Sequence, residues 1–210
     1  MTGTLVKICG ISTPDTLAAA VQAGASHVGF VHFAKSPRHL SLADAGLLRR
    51  LVPAHVKAVL LVVNPAPESL VVALHTIAPD VVQFHGAEPP ETLARFRAET
   101  GIEAWRAIAV RDAASLADVA AFRGAADRVL LDAPASALPG GNGTAFDWGL
   151  LAGWQAPLAW GLAGGLTPAN VADAIRLTGA PLVDTSSGVE RSPGIKDVDK
   201  ITAFCKAARL

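Results

Sequence analysis

Apolar runs of this chain end repeatedly in groups that can move a proton or hold a charge. Cys9 closes 5–9, His32 closes 27–32, Gln83 and His85 lie at the end of 81–85, Asp132 closes 128–132, and Asp184 and Ser186 end 182–186. A thiol and a carboxyl brought to one site supply a base and an acid, the minimum for moving a proton between two substrate atoms. A cysteine taken at random is more often a small buried hydrophobe, and that reading suffices for Cys205 in the last helical stretch. Cys9 differs by position. Alternation along a strand puts Lys7 and Cys9 on one side and Ile8 on the other, and an ammonium beside a thiol favours the thiolate. Asp132 reads either as a cap on the following loop or as a carboxyl at the mouth of a site, where withdrawal from water favours the protonated form that a general acid requires. Asp184 admits the same two readings, with support or hydroxyl binding ahead of proton transfer.

Anchors for a substrate lie in the loops. Ala163-Gly164-Gly165-Leu166 and Ser186-Ser187-Gly188-Val189 follow the seventh and eighth apolar runs. Glycines let backbone N–H groups approach an anion, and a short helix beginning past Ser187 would add its positive end. Ser36-Pro37-Arg38 combines a stiffened turn with a guanidinium that can pair in a fork with a carboxylate; a solvated surface arginine is the plainer alternative. His32, His39 and His85 have no metal-ligand spacing and no clustered carboxylates, so no metal is expected.

These ends need elements that gather them. Runs at 5–9, 27–32, 56–63, 81–85, 103–109, 128–132, 158–162 and 182–186 alternate with Ala/Leu-rich stretches at 14–23, 42–51, 67–77, 90–100, 113–122, 148–151, 168–177 and 198–208. This is the pattern of parallel strands joined by crossover helices, and most runs are apolar on both faces, as strands covered inside and outside must be. Thr13-Pro14 and Thr167-Pro168 each offer an N-cap hydroxyl and a proline at the first helical position, with Ser41 and Asp112 as further caps. Eight such units predict an α/β fold, a (β/α)8 TIM barrel whose reactive groups share the C-terminal face of the strands. An open doubly wound sheet has the same alternation, but no G-x-G-x-x-G follows the first strand. The Gly/Pro-rich stretch 134–144 reads as a long loop after the sixth strand.

With 210 residues, 51% of them apolar, one domain over 1–210 is expected. Lys plus Arg equals Asp plus Glu at 18 each, which leaves no basic surface for nucleic acid. Two cysteines are too few for a disulfide framework. The first residues lack the pattern of a secretion signal, and the strongest apolar run, 58–63, is far too short to cross a bilayer. A cytoplasmic chain is expected, acting as a monomer or homodimer on a small phosphorylated molecule.

Taken in order, Lys7-Ile8-Cys9-Gly10-Ile11, Gly29-Phe30-Val31, Ser36-Pro37-Arg38, Gln83-Phe84-His85-Gly86, Leu131-Asp132, Phe146-Asp147-Trp148, Leu162-Ala163-Gly164-Gly165-Leu166, Val183-Asp184 and Ser186-Ser187-Gly188-Val189-Glu190 resemble the phosphoribosylanthranilate isomerase family from the first strand to the final helix. The resemblance implies an Amadori rearrangement of N-(5-phosphoribosyl)anthranilate in tryptophan biosynthesis, without a cofactor. Carried onto matching positions, it implies Asp132 as the acid that opens the furanose ring and Cys9 as the base at ribose C2. It implies Arg38 at the anthranilate carboxylate and Gly164, Gly165, Ser186, Ser187 and Gly188 at the phosphate; Lys7, His85 and Asp184 are expected as further substrate-binding groups. Asn142 stands where the family usually has threonine, and Phe33-Ala34 and His39 also depart from commoner choices. Two rivals are a related aminoaldose isomerase of histidine biosynthesis, which resembles a two-aspartate scheme, and a catalytically silent barrel that binds phosphoribosyl ligands.

Overall fold

The computed structural model describes residues 3–134 and 146–209. Strands β1 (Leu5–Cys9), β2 (His27–Val31), β3 (Lys57–Val62), β4 (Val81–Phe84), β5 (Glu103–Ala109), β6 (Arg128–Asp132), β7 (Trp160–Leu162) and β8 (Leu182–Thr185) are all parallel. They pair in chain order, and β8 pairs back onto β1 to close the barrel. The layer outside holds α1 (Pro14–Gln22), α2 (Leu42–Arg49), α3 (Pro67–Ile77), α4 (Pro90–Thr100), α5 (Ala113–Ala117), α6 (Val171–Thr178) and α7 (Val198–Ala207).

Strand alternation sorts the side chains as expected. Ile8, Val28, Phe30, Leu60, Val82, Phe84, Leu131 and Val183 pack outward against Leu17, Leu48, Ile77, Leu93, Phe96, Ile201 and Phe204 of the helices. Cys205 joins that helical core. The opposite face fills the barrel, where Val59, Val81, Trp105, Leu130 and Leu182 form an apolar floor. Two residues further along their strands, toward the C-terminal mouth, come Leu61, Gln83, Ala107, Asp132 and Asp184. One step of the pleat therefore carries the interior from apolar packing to polar chemistry.

Local signals decide most boundaries. Thr13, Ser41 and Asp112 cap their helices by accepting from the N–H of Thr16, Asp44 and Ser115. Thr167 does not act this way. Asn170 Oδ1 accepts from the Thr167 N–H (2.8 Å) while its Nδ2 donates to the Gly165 carbonyl (3.0 Å), so a tied turn occupies Pro168 and α6 begins only at Val171. The second half of 113–122 is a 3-10 helix, Asp118–Phe122, and β7 starts at Trp160, two residues later than the apolar pattern suggests. The short helix at Trp148–Leu151 is 3-10 as well.

After β8 the single 3-10 turn Ser187–Val189 leads into a hairpin, β9 (Glu190–Ser192) and β10 (Ile195–Lys196), which the pattern did not indicate. That turn is three residues long, so the expected dipole of a helix past Ser187 has no helix to arise from. The expected loop at 134–144, with Asn142, lies outside the described residues beyond Pro134. No helix among the described residues is long and apolar enough to cross a membrane.

Candidate active site

A cavity opens at the C-terminal mouth of the barrel. Cys9, Arg38, Gln83, His85, Asp132, Gly164, Gly165, Asp184, Ser186, Ser187 and Gly188 all line it. Of the side chains expected in the site, only Lys7 is missing from this wall: it is fully buried beneath the pocket. Lys7 meets the pocket here only through its neighbours.

Those neighbours are Asp184 and Cys9. Lys7 Nζ donates to both Asp184 carboxylate oxygens at 3.0 Å. Burial works to lower the Lys7 pKa, but Asp184 and Cys9 more than reverse it, so the ammonium form is held firmly. Burial also pushes the Cys9 thiol above its ordinary value, although Lys7 and Lys196 both pull it down. The sequence expectation that Lys7 favours the thiolate has the right sign for Lys7 alone, but desolvation outweighs it. Gly29 on β2 gives this group its space: a Cβ there would lie 3.1 Å from Cys9 Sγ and 3.4 Å from Lys7 Cε.

Across the mouth, Asp132 Oδ1 accepts the Ala133 N–H (2.8 Å), and Oδ2 stands 3.4 Å from His85 Nε2. The Gln83 amide nitrogen lies 3.1 Å from His85 Nδ1, so β4 presents a side-chain pair to the carboxyl at the end of β6. Gly164 has φ +80°, a left-handed conformation suited to glycine, and a Cβ there would lie 2.8 Å from Asp132 Oδ1. The loop after β7 thus presses directly on the candidate acid.

The loops after β7 and β8 meet each other, since Thr185 Oγ1 donates to the Leu166 carbonyl (2.7 Å). Ser186 Oγ donates to the Cys9 carbonyl (3.1 Å), tying the expected phosphate loop to the end of β1. Lys196 donates to the Ser186 carbonyl (2.9 Å) and to Glu190 Oε1 (2.7 Å). Arg38 makes the forked pair foreseen for it, but with Glu190: Nε donates to Oε1 at 2.7 Å and Nη2 to Oε2 at 2.8 Å. Burial works to raise the Glu190 pKa, yet the hydrogen bond from Arg38 and the charge of Lys196 hold it below its ordinary value. Arg38 is thereby fixed at the pocket wall by a carboxylate of its own chain.

Val31, Phe33, Leu61 and Val63 give the pocket an apolar side next to Cys9. Among the described residues no three His, Cys, Asp or Glu side chains converge as a metal cage would require. Lys196 was not foreseen from the sequence, and Gly29 and Glu190 stood there only as parts of motifs. A glycine inside an apolar strand is a readable sign of close approach; the burial of Lys196 beside Glu190 depends on the hairpin and leaves no such sign.

The chain matches the family model described as N-(5'-phosphoribosyl)anthranilate isomerase over residues 6–207. It is 61% identical to the N-(5'-phosphoribosyl)anthranilate isomerase of Erythrobacter litoralis, covering 98% of this chain and 99% of that one. It superposes on the crystal structure of phosphoribosyl anthranilate isomerase from Thermotoga maritima with TM-score 0.89 and 36% identity, over 98% of each chain. A crystal structure of a phosphoribosyl anthranilate isomerase in complex with reduced 1-(o-carboxyphenylamino)-1-deoxyribulose 5-phosphate superposes with TM-score 0.86 and 35% identity over 98% of each chain.

Proposed function

Because the chain belongs to the phosphoribosylanthranilate isomerase family, we propose that its mouth pocket works with Asp132 as the acid and Cys9 as the base. The enzyme isomerises N-(5-phosphoribosyl)anthranilate to 1-(2-carboxyphenylamino)-1-deoxyribulose 5-phosphate, a step of tryptophan biosynthesis. The observation that carries the residue assignment is the single cavity walled by a thiol, a carboxyl, an apolar side with Arg38, and two glycine-bearing loops.

Asp132 gives its proton to the furanose ring oxygen as the C1–O bond breaks, and the arylamine lone pair forms the C1=N iminium. Cys9, as thiolate, takes the C2 proton, and the C–H electrons form C1=C2 while nitrogen regains its pair. The resulting enolamine gains a proton at C1 and loses one from the C2 hydroxyl, giving the ketone, so product and substrate have the same atoms. The raised thiol pKa suits a base that must hold the proton it removes. The apolar side of Val31, Phe33, Leu61 and Val63 accepts the aryl ring, Arg38 addresses its carboxylate, and His85 stands at the substrate beside Asp132. Backbone N–H groups around Gly164, Gly165, Ser187 and Gly188 receive the phosphate, with Ser186 bracing its loop. Asp184 reaches a ribose hydroxyl while Lys7 neutralises it from below. Every one of these groups comes from one chain, so a cytoplasmic monomer or homodimer with a single catalytic barrel and no cofactor is sufficient.

The test follows the fluorescence of substrate formed in place from anthranilate and phosphoribosyl pyrophosphate by a coupled phosphoribosyl transfer. Wild type consumes it, and Cys9→Ala and Asp132→Asn each lower kcat by about a hundred- to ten-thousand-fold. Wild-type turnover in both variants would remove the assignment. Equal turnover of the histidine-pathway aminoaldose would show that the substrate range is wider.

A further inference from the structure

Gln83 has no part in the proton transfers above, yet it is only 1% exposed and lines the active-site pocket. Its Nε2 lies 3.1 Å from His85 Nδ1, while its Oε1 has no partner among the described residues. An amide NH2 can only donate. The tautomer that pairs with it has the lone pair on Nδ1 and the proton on Nε2, the nitrogen that faces Asp132 Oδ2 at 3.4 Å.

We infer that Gln83 is a positioning residue that keeps the catalytic proton on Asp132 by denying His85 a proton at Nδ1. A protonated Asp132 beside a neutral histidine has two ways to arrange itself. If His85 carried its proton on Nδ1, its Nε2 lone pair would accept the Asp132 hydroxyl, or take the proton outright and leave imidazolium and carboxylate. With the amide N–H set against Nδ1, both outcomes place N–H against N–H. What is left is an Nε2–H directed at Asp132 Oδ2, with the acidic proton on Oδ1, the oxygen that also accepts the Ala133 N–H. The other ionisable groups around His85 are Asp184 within the barrel and Arg106 and Asp118 across the adjoining cavity between the β3–β5 loops. Arg106 is engaged by Glu88 (2.7 Å) and the Gly86 carbonyl (2.8 Å), so it holds the turn after His85 without competing for Nδ1.

The inference rests on Asp132 being the acid, and the test separates the two. In Gln83→Glu the side chain accepts at Nδ1, so His85 holds both protons and pairs with an ionised Asp132. The expected result is a fall in kcat of about a hundredfold with KM little changed, and a smaller fall in Gln83→Met, which removes the amide without supplying an acceptor. In a His85→Asn background the Gln83→Glu penalty should largely vanish. Nitrogen-15 NMR of the ligand-free enzyme should show the Nε2–H tautomer in wild type and two protonated ring nitrogens in Gln83→Glu. A wild-type Nδ1–H tautomer, or wild-type kcat in Gln83→Glu while Asp132→Asn is inactive, would overturn the role of Gln83 and leave Asp132 in place. Activity in Asp132→Asn would instead overturn the acid itself.

Discussion

The floor and the mouth of the barrel are built from alternate residues of the same strands, and they use polar groups in opposite ways. At the floor, His27 packs at a tilt against Trp105 with ring centroids 5.1 Å apart, and the Arg128 guanidinium lies 5.3 Å over the same ring. Trp105 Nε1 donates to Glu103 (2.7 Å), and the Ser26 hydroxyl bonds His27 Nδ1 at 2.8 Å. Burial, helped by Lys7, Lys57 and Arg128, lowers the His27 pKa to about 3, so its imidazole is a neutral packing group. At the mouth, His85 and Asp132 stand 3.4 Å apart and Gln83 Oε1 waits without a partner among the described residues. Apart from Arg128 Nε, which has no partner among the described residues, floor groups are turned toward one another and fix the barrel; mouth groups keep capacity that a substrate can take up.

Changes at the two ends should therefore separate stability from activity. Trp105→Ala removes the largest fully buried side chain. It should cost about 3–5 kcal/mol in denaturant unfolding while the folded fraction keeps its kcat. A variant with native stability, or one folded but inactive, would erase the distinction. Lys7 lies between the two regions. Lys7→Met leaves Asp184 buried without its cation and should cost about 3 kcal/mol, with Asp184→Asn in the same chain restoring part of it. Alkylation of Cys9 by iodoacetamide in that double variant should need still higher pH than in wild type, because the lost pull of the Lys7 ammonium on the thiol pKa is larger than the lost push of the Asp184 carboxylate. Gly29→Ala should act on activity. Its methyl would press on Cys9 Sγ and lower kcat about tenfold with KM nearly constant, and an unchanged kcat would mean that the space around Cys9 is slack.

A pH effect sharpens the floor. His27 titrates at about 3 when folded against 6.5 ordinarily, so below 6.5 the unfolded chain binds the extra proton. Folding stability must then fall as pH drops from about 6.5 toward 3 and be complete above that window. His27→Gln should flatten the decline of Tm in this range, and an identical slope would show that the depressed histidine is not its source.

Much of the barrel was legible because its signals are local. The strands at Leu5–Cys9, Glu103–Ala109 and Arg128–Asp132 begin and end where their apolar alternation does. The mouth was legible for a related reason: a cysteine or aspartate closing a buried strand stands out against its apolar neighbours. What escaped depends on contacts between distant segments. Lys196 lies in a two-residue strand, and only the hairpin brings it to Glu190 and Ser186. Thr167 carries the signal of a cap, but the Asn170 side chain claims that turn first. Lys7 was placed correctly by strand parity, yet its partner comes from β8, 177 positions away, and the dominance of burial over its charge at Cys9 follows from depth inside a closed barrel.

The division of labour between Asp132 and Cys9 is tested most directly by trapping the open-chain iminium. Cyanoborohydride is added to Cys9→Ala and Asp132→Asn at equal substrate occupancy, and the reduced open-chain amine is measured by mass spectrometry. Cys9→Ala retains the acid and lacks the base, so the iminium should accumulate and be trapped well above the level without enzyme. Asp132→Asn should give only that background. Equal trapping by both variants, or the higher yield from Asp132→Asn, would contradict the assignment of ring opening to Asp132 and C2 deprotonation to Cys9.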